Sequence, residues 1–209
     1  MPDTPLLMAF LAAVIAIQLS PGPDMMLVIA RGVGQGRRVA LTCVAGIAAA
    51  SLVQIPALAL GVAVIFERSE LAYLLLKYLG AGYLIYLGIR FMVTASKSEA
   101  LAEAGVTSAR AAFFQGFWGN LLNPKSLVFL LAFLPQFVDP GRGDVSTQLL
   151  VLGVIHKSIG VMVDGSVAIL AGTSGNWLKG HPGFKLWQER AVGSILVALG
   201  VRLAFDGRQ

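Results

Sequence analysis

Asn120, Asn123, Pro124 and Lys125 fall within six positions at the start of an otherwise apolar stretch, GNLLNPKSLVFLLAFLPQF, Gly119 to Phe137. Two amides, a helix breaker and an ammonium group have no role in an apolar helix as such. Together they suit the recognition of a polar molecule. A second constellation, Ser20-Pro21-Gly22-Pro23-Asp24, repeats the theme near the N-terminus and adds a carboxylate. Proline has no N–H, so Pro21 and Pro23 leave the carbonyls of Ile17 and Leu19 without their helical donors, and Pro124 does the same to Asn120. Gly22 adds backbone freedom between the two prolines. Each break also opens a half-helix N-terminus, whose N–H groups and partial positive charge suit a carboxylate. A kink that serves packing is the competing reading. Unsatisfied backbone is costly in hydrocarbon, so under either reading the breaks face protein or a water-filled cavity.

Four charges lie within or close to apolar runs: Asp24, Lys125, Lys157 and Asp164. A charge at the centre of a membrane helix costs about 2.5–3.5 kcal/mol on insertion scales, so such groups usually face the interior and pair. Lys157 and Asp164 are seven residues apart, on one helix face but too distant to touch. Each is expected to look across a bundle, with Lys125 the expected partner of Asp164. A substrate or proton site is weighed here against a structural salt bridge. Asp24 is the weakest of the four, being near enough to an interface to be solvated. His156, next to Lys157, either titrates near neutral pH or makes a polar contact near the outer part of its helix, and His181 is expected to sit on a solvated loop. Gln18, Gln54 and Gln115 either line a polar cavity or bond between helices. Gly46, Gly80, Gly82, Gly88, Gly193 and Gly200 are read as permitting close helix contact.

Other chemistry is disfavoured. No cluster of His, Cys and carboxylate has metal-ligand spacing, and no cofactor is expected. The single cysteine, Cys43, reads as a small packing residue. Gly172-Thr173-Ser174-Gly175 fits the G-x-S-G of intramembrane serine hydrolases, but a serine nucleophile needs a histidine within reach. His181, beside Pro182, does not suit, so an interfacial turn is expected there.

The elements that must carry these residues are apolar helices. Of 209 residues, 56% are hydrophobic and only 13% charged, and the mean hydropathy is +0.77. Soluble domains carry about 25% charged residues, so an integral membrane protein is expected. A β-barrel would show alternating strands of about ten residues instead. The N-terminal run lacks a basic leader and reads as a retained first helix. Six spans are predicted: Leu6–Ile29, Val39–Phe66, Leu71–Val93, Ala112–Val138, Thr147–Gly172 and Leu186–Phe205. The loops after spans one, three and five hold Arg31, Arg37, Arg38, Arg90, Lys97, Arg110, Lys179, Lys185 and Arg190, which places them in the cytoplasm and both termini outside. The net charge of +5 is therefore assigned to cytoplasmic loops rather than to nucleic acid. LSPGPDMMLV and LLNPKSLVFL interrupt spans one and four, while YLGIRFMV and ALGVRLAF end spans three and six. The expected fold is therefore all-α, two inverted three-helix repeats over about residues 1–95 and 110–209, with helices one and four broken.

The chain resembles the LysE/RhtB family of bacterial amino-acid exporters over nearly its whole length. The resemblance rests on SPGPDMMLV, KYLGAGYLIYLGIR, FFQGFWGNLLNPKSLVFLLAFLPQFV and RAVGSILVALGVRLAF. It implies a six-helix inner-membrane protein that exports amino acids or similar metabolites, driven by the proton gradient, with a homo-oligomer compatible. It carries the paired breaks onto Pro21, Gly22 and Pro23 and onto Asn123, Pro124 and Lys125; with Asn120 added to the second set, these are expected to form the two halves of a central site. The cargo's carboxylate would meet a half-helix N-terminus and Lys125, and its ammonium would meet freed carbonyls and Asp164. Asp164 matches an acidic position common in span five, and it is the first candidate for the coupling proton, with Asp24 the second. DGSVAIL after that acid, and Lys157 with His156 before it, depart from the family pattern. A cation exporter of related fold is the rival reading, disfavoured by one cysteine and few carboxylates.

Overall fold

The computed structural model describes residues 4–19, 22–68, 70–94, 106–180 and 182–205, and among them every regular element is helical. α1 (Thr4–Leu19) and α2 (Pro23–Gln35) meet at 46°. α3 (Arg37–Arg68) and α4 (Glu70–Thr94) are continuous. α5 (Ala109–Leu121) and the stretch opened by α6 (Pro124–Val128) meet at 41°, and α6 runs on as a π-turn, Phe129–Phe133, and a 3-10 turn, Leu134–Phe137. α7 (Val145–Gly180) and α8 (Pro182–Phe205) complete the bundle.

Local chemistry explains the ends. Pro23 and Pro124 occupy the first turns of α2 and α6, where a missing N–H costs nothing. Asn123 caps α6, its Oδ1 accepting from the Lys125 N–H at 3.0 Å. Ser108 caps α5 through the Ala111 N–H at 3.2 Å. Asp144 precedes α7 and accepts from the Thr147 N–H at 2.6 Å. Hydrogen bonds from the Thr147 side chain and backbone hold that carboxyl below the usual carboxylate range.

Polar groups are buried in the bundle beside an apolar core, and large apolar side chains cover its outside. Leu52, Leu79 and Met162 are 70–78% exposed, whereas Gln54, Asn120, Lys157 and Asp164 are buried. That inversion fits helices whose solvent is lipid. α3 and α7 are each long and apolar enough to cross a bilayer. The two bent pairs pass the same test together, each as a broken span or a re-entrant loop.

Glycines set the closest approaches. A Cβ on Gly46 would strike the Phe113 carbonyl oxygen, and one on Gly116 would strike that of Cys43, so α3 and α5 touch backbone to backbone. Gly88 meets Gly193 and Val197, and Gly200 meets Ala81 and Ile85, so α4 and α8 cross antiparallel. Cys43 is buried at the first crossing, in its expected packing role. Gly82 has nothing within 4 Å of an added Cβ and takes no part in these contacts, contrary to expectation.

Two further expectations are corrected. The turn at Gly172–Gly175 does not form, because α7 continues to Gly180; glycine costs a helix only about 1 kcal/mol, which does not stop a long one. Arg31 belongs to no loop. It is buried on α2, donating to Gln35 Oε1 at 2.9 Å and Gln115 Oε1 at 2.8 Å. Gln35 in turn donates to the Thr107 carbonyl at 2.8 Å, tying the end of α2 to the start of α5.

Candidate functional site

The two breaks meet. Asp24, in the first turn of α2, accepts from Asn120 Nδ2 at 2.8 Å and from Asn123 Nδ2 at 2.6 Å. The first is the penultimate residue of α5 and the second the cap of α6, so one carboxylate spans the second break. In return Lys125 lies across the first break: a Cβ on Gly22 would stand 3.2 Å from its Cδ and 3.3 Å from its Nζ. Gly22 is extended, with φ −138° and ψ 178°, a conformation open to any residue. A Cβ there would press on the Lys125 side chain, which would have to give by a few tenths of an ångström.

α7 supplies the third wall. Lys157 Nζ donates to Asn120 Oδ1 at 3.0 Å and to Ser126 Oγ at 2.6 Å. Ser126 Oγ in turn donates to Gln54 Oε1 of α3 at 3.3 Å. Gln54 Nε2 lies 3.4 Å from the carbonyl oxygens of Asn120 and Leu121. The carbonyl that Pro124 strips of its helical donor is thus met from α3, and by the Asn123 N–H at 3.1 Å. At the other end of the wall Gln18 Nε2 donates to the His156 carbonyl at 3.2 Å, and the His156 ring stacks on Phe129, centroids 4.3 Å apart. A Cβ on Gly160 would stand 2.7 Å from Gln18 Nε2, so this glycine admits α1.

These groups line a cleft walled by Gln18, Gly22 and Asp24, by Asn120, Asn123, Lys125, Ser126 and Phe129 of the second break, and by His156, Lys157 and Asp164 of α7. Its floor holds two carboxylates and two ammonium groups, together with amides and a hydroxyl. Such a set can bind a zwitterion at both ends.

Of the residues singled out by sequence, Gly22, Asp24, Asn120, Asn123, Lys125 and Asp164 line this cleft. Pro23 and Pro124 are exposed and shape the breaks from behind. Pro21 lies outside the described residues, as do His181 and the side chain of Ser174. Asp24, ranked lowest of the charges at depth, is the one that joins the breaks. His156 is not at a polar periphery but buried in the wall. Lys157, left outside the predicted site, is within it. Nothing in the sequence singles out Ser126: a lone serine in an apolar helix is ordinary, and only the fold brings it to Lys157.

The family model for LysE type translocators matches residues 15–207. A homoserine/homoserine lactone efflux protein of Salmonella typhimurium is 33% identical over 94% of this chain and 94% of its own length. An uncharacterized membrane protein of Vibrio cholerae is 31% identical over 94% of this chain and 95% of its own. A leucine efflux protein of an Enterobacter strain is 24% identical over 90% of both. No solved structure matches the chain significantly.

Proposed function

This chain belongs to the LysE type translocator family, and on that premise we propose that it exports neutral amino acids across a bacterial inner membrane. The observation that carries the reading is the meeting of the two breaks, in which Asp24 is clamped by Asn120 and Asn123 while Lys125 lies over Gly22. Interrupted helices that converge on charged groups are a recurrent transporter plan. Two carboxylates against two ammonium groups leave the cleft without net charge, which favours a zwitterion over a cationic or anionic cargo. The homoserine and leucine in the names of the relatives are zwitterions of this kind.

In this reading the cargo's carboxylate meets Lys125 and the N-terminus of α2, and its ammonium meets Asp164 and the amide oxygens of the second break. Six spans form two inverted repeats with both termini outside. The antiparallel crossing of α4 with α8, each glycine meeting the other helix in turn, supports that symmetry. The repeats rock about the cleft and expose it to each side alternately. Asp164, buried in the cleft wall, takes the coupling proton.

The test is export from bacterial cells preloaded with a panel of amino acids, with Lys125→Ala as the control. Selective loss of a few neutral amino acids from cells with the unaltered chain supports the reading. Equal profiles at equal membrane levels would sink it. Asp164→Asn is expected to abolish the dependence of export on external pH, and normal export with an unchanged pH profile would remove the proton role.

A further inference from the structure

Lys157 holds both sides of the second break at once. Its Nζ donates to Asn120 Oδ1, before the break, and to Ser126 Oγ, after it. Both acceptors are neutral and buried. Asn120 turns its amide nitrogen the other way, to Asp24, so one side chain stands between an ammonium and a carboxylate. An amino-acid cargo brings the same chemical group, a primary ammonium on a carbon tether, into the same cleft. Acceptors that suit Nζ suit the cargo's α-ammonium equally.

We propose that Lys157 is a tethered substitute for the cargo's ammonium, holding Asn120 and Ser126 when the carrier travels without cargo and yielding them when cargo binds. This rests on the export reading above and deepens it. Net export requires the carrier to return unloaded after every release. On that leg, buried acceptors without a donor are costly in a membrane interior. Lys157 removes that cost. Exchange of one cargo molecule for another never uses the unloaded leg, because a cargo ammonium fills the acceptors in both directions. Lys157 should therefore matter far more to net efflux than to exchange. A purely structural latch between α7 and the second break would weaken both modes alike.

The experiment uses the purified full-length chain in proteoliposomes loaded with radiolabelled neutral amino acids, leucine and homoserine among them. Efflux into amino-acid-free buffer is compared with efflux against the same unlabelled amino acid outside. For Lys157→Met the ratio of net efflux to exchange is expected to fall about tenfold or more relative to the unaltered chain. Lys157→Arg, which keeps a cation, should lose less of that ratio. Equal loss of both modes in Lys157→Met, or an unchanged ratio, overturns the proposal while the export reading stands. Absence of both modes in the unaltered chain overturns the export reading and this proposal with it. Should Lys157→Met fail to fold, Lys157→Gln, polar but without the ammonium, takes its place. Selective loss of net efflux there supports the proposal, and equal loss overturns it.

Discussion

α3 and α5 meet in two opposite ways. At Gly46 and Gly116 their backbones touch, with no room for a side chain on either glycine. Further along, Gln54 of α3 reaches the carbonyls of Asn120 and Leu121 at the end of α5, and polar side chains fill the space between. The dry crossing depends on what is missing, the polar junction on what is present. A dry contact between small residues sets the distance between helices through van der Waals packing and offers a solute nothing to bind. The junction exposes donors and acceptors that a solute can borrow. Stability is expected to reside mainly in the first and transport in the second.

That division can be broken by substitution. The largest effect is expected for Gly46→Leu, because the atom it would strike is backbone and the helices themselves must part. The cost should exceed about 3 kcal/mol, and detergent size-exclusion chromatography should show no monodisperse protein. A well-behaved Gly46→Leu protein would refute the dry crossing. Next comes Asp24→Ala, which leaves the amide N–H groups of Asn120 and Asn123 without their acceptor at about 1.5–3 kcal/mol per bond. Export per folded molecule should fall about a hundredfold while the chain still reaches the membrane. If Asp24→Ala instead abolished accumulation and left transport per molecule intact, stability and transport would not divide as described.

A gentler probe exchanges the partners. Asp24→Asn combined with Asn123→Asp moves the carboxylate across the junction, and the pair should recover at least about tenfold of the export lost by either change alone. Additive losses in the double variant would show that the position of the charge, not the bond, is what counts. Gln54→Leu removes the support of Ser126 and should lower export about fivefold, with little effect on the amount of folded protein. The smallest effect belongs to Gly82→Ala. With nothing within 4 Å of the new Cβ, thermal stability should shift by less than about 0.5 kcal/mol.

Much of this molecule was legible from residue types and spacing. Each of the six predicted spans falls on a helix or a broken pair, and both breaks sit where Pro23 and Pro124 place them. Hydropathy and proline content act locally, through desolvation and a missing N–H, so a linear reading captures them. Gly46, Gly88, Gly193 and Gly200 were legible as contact points for the same reason. Partners were less so. Nothing local announced that the Lys125 side chain would lie across Gly22, or that Asp24 would take the amides of the opposite break. Lys157 was legible as a charge at depth but not as a neighbour of Asn120, and Ser126 joined the cleft without any local signature.

By itself the sequence determined that this is a helical membrane protein with two interrupted helices and a small store of charge at depth. Each of those properties depends on a residue and its near neighbours. Only the tertiary structure decided which charges share a cleft and which bond stands between them. Asp24 and Asn120 are 96 residues apart, Lys157 and Asn120 37, and Gln18 and His156 138. Helix crossings at glycine bring them together, and a burial cost that each polar group offsets with another keeps them there.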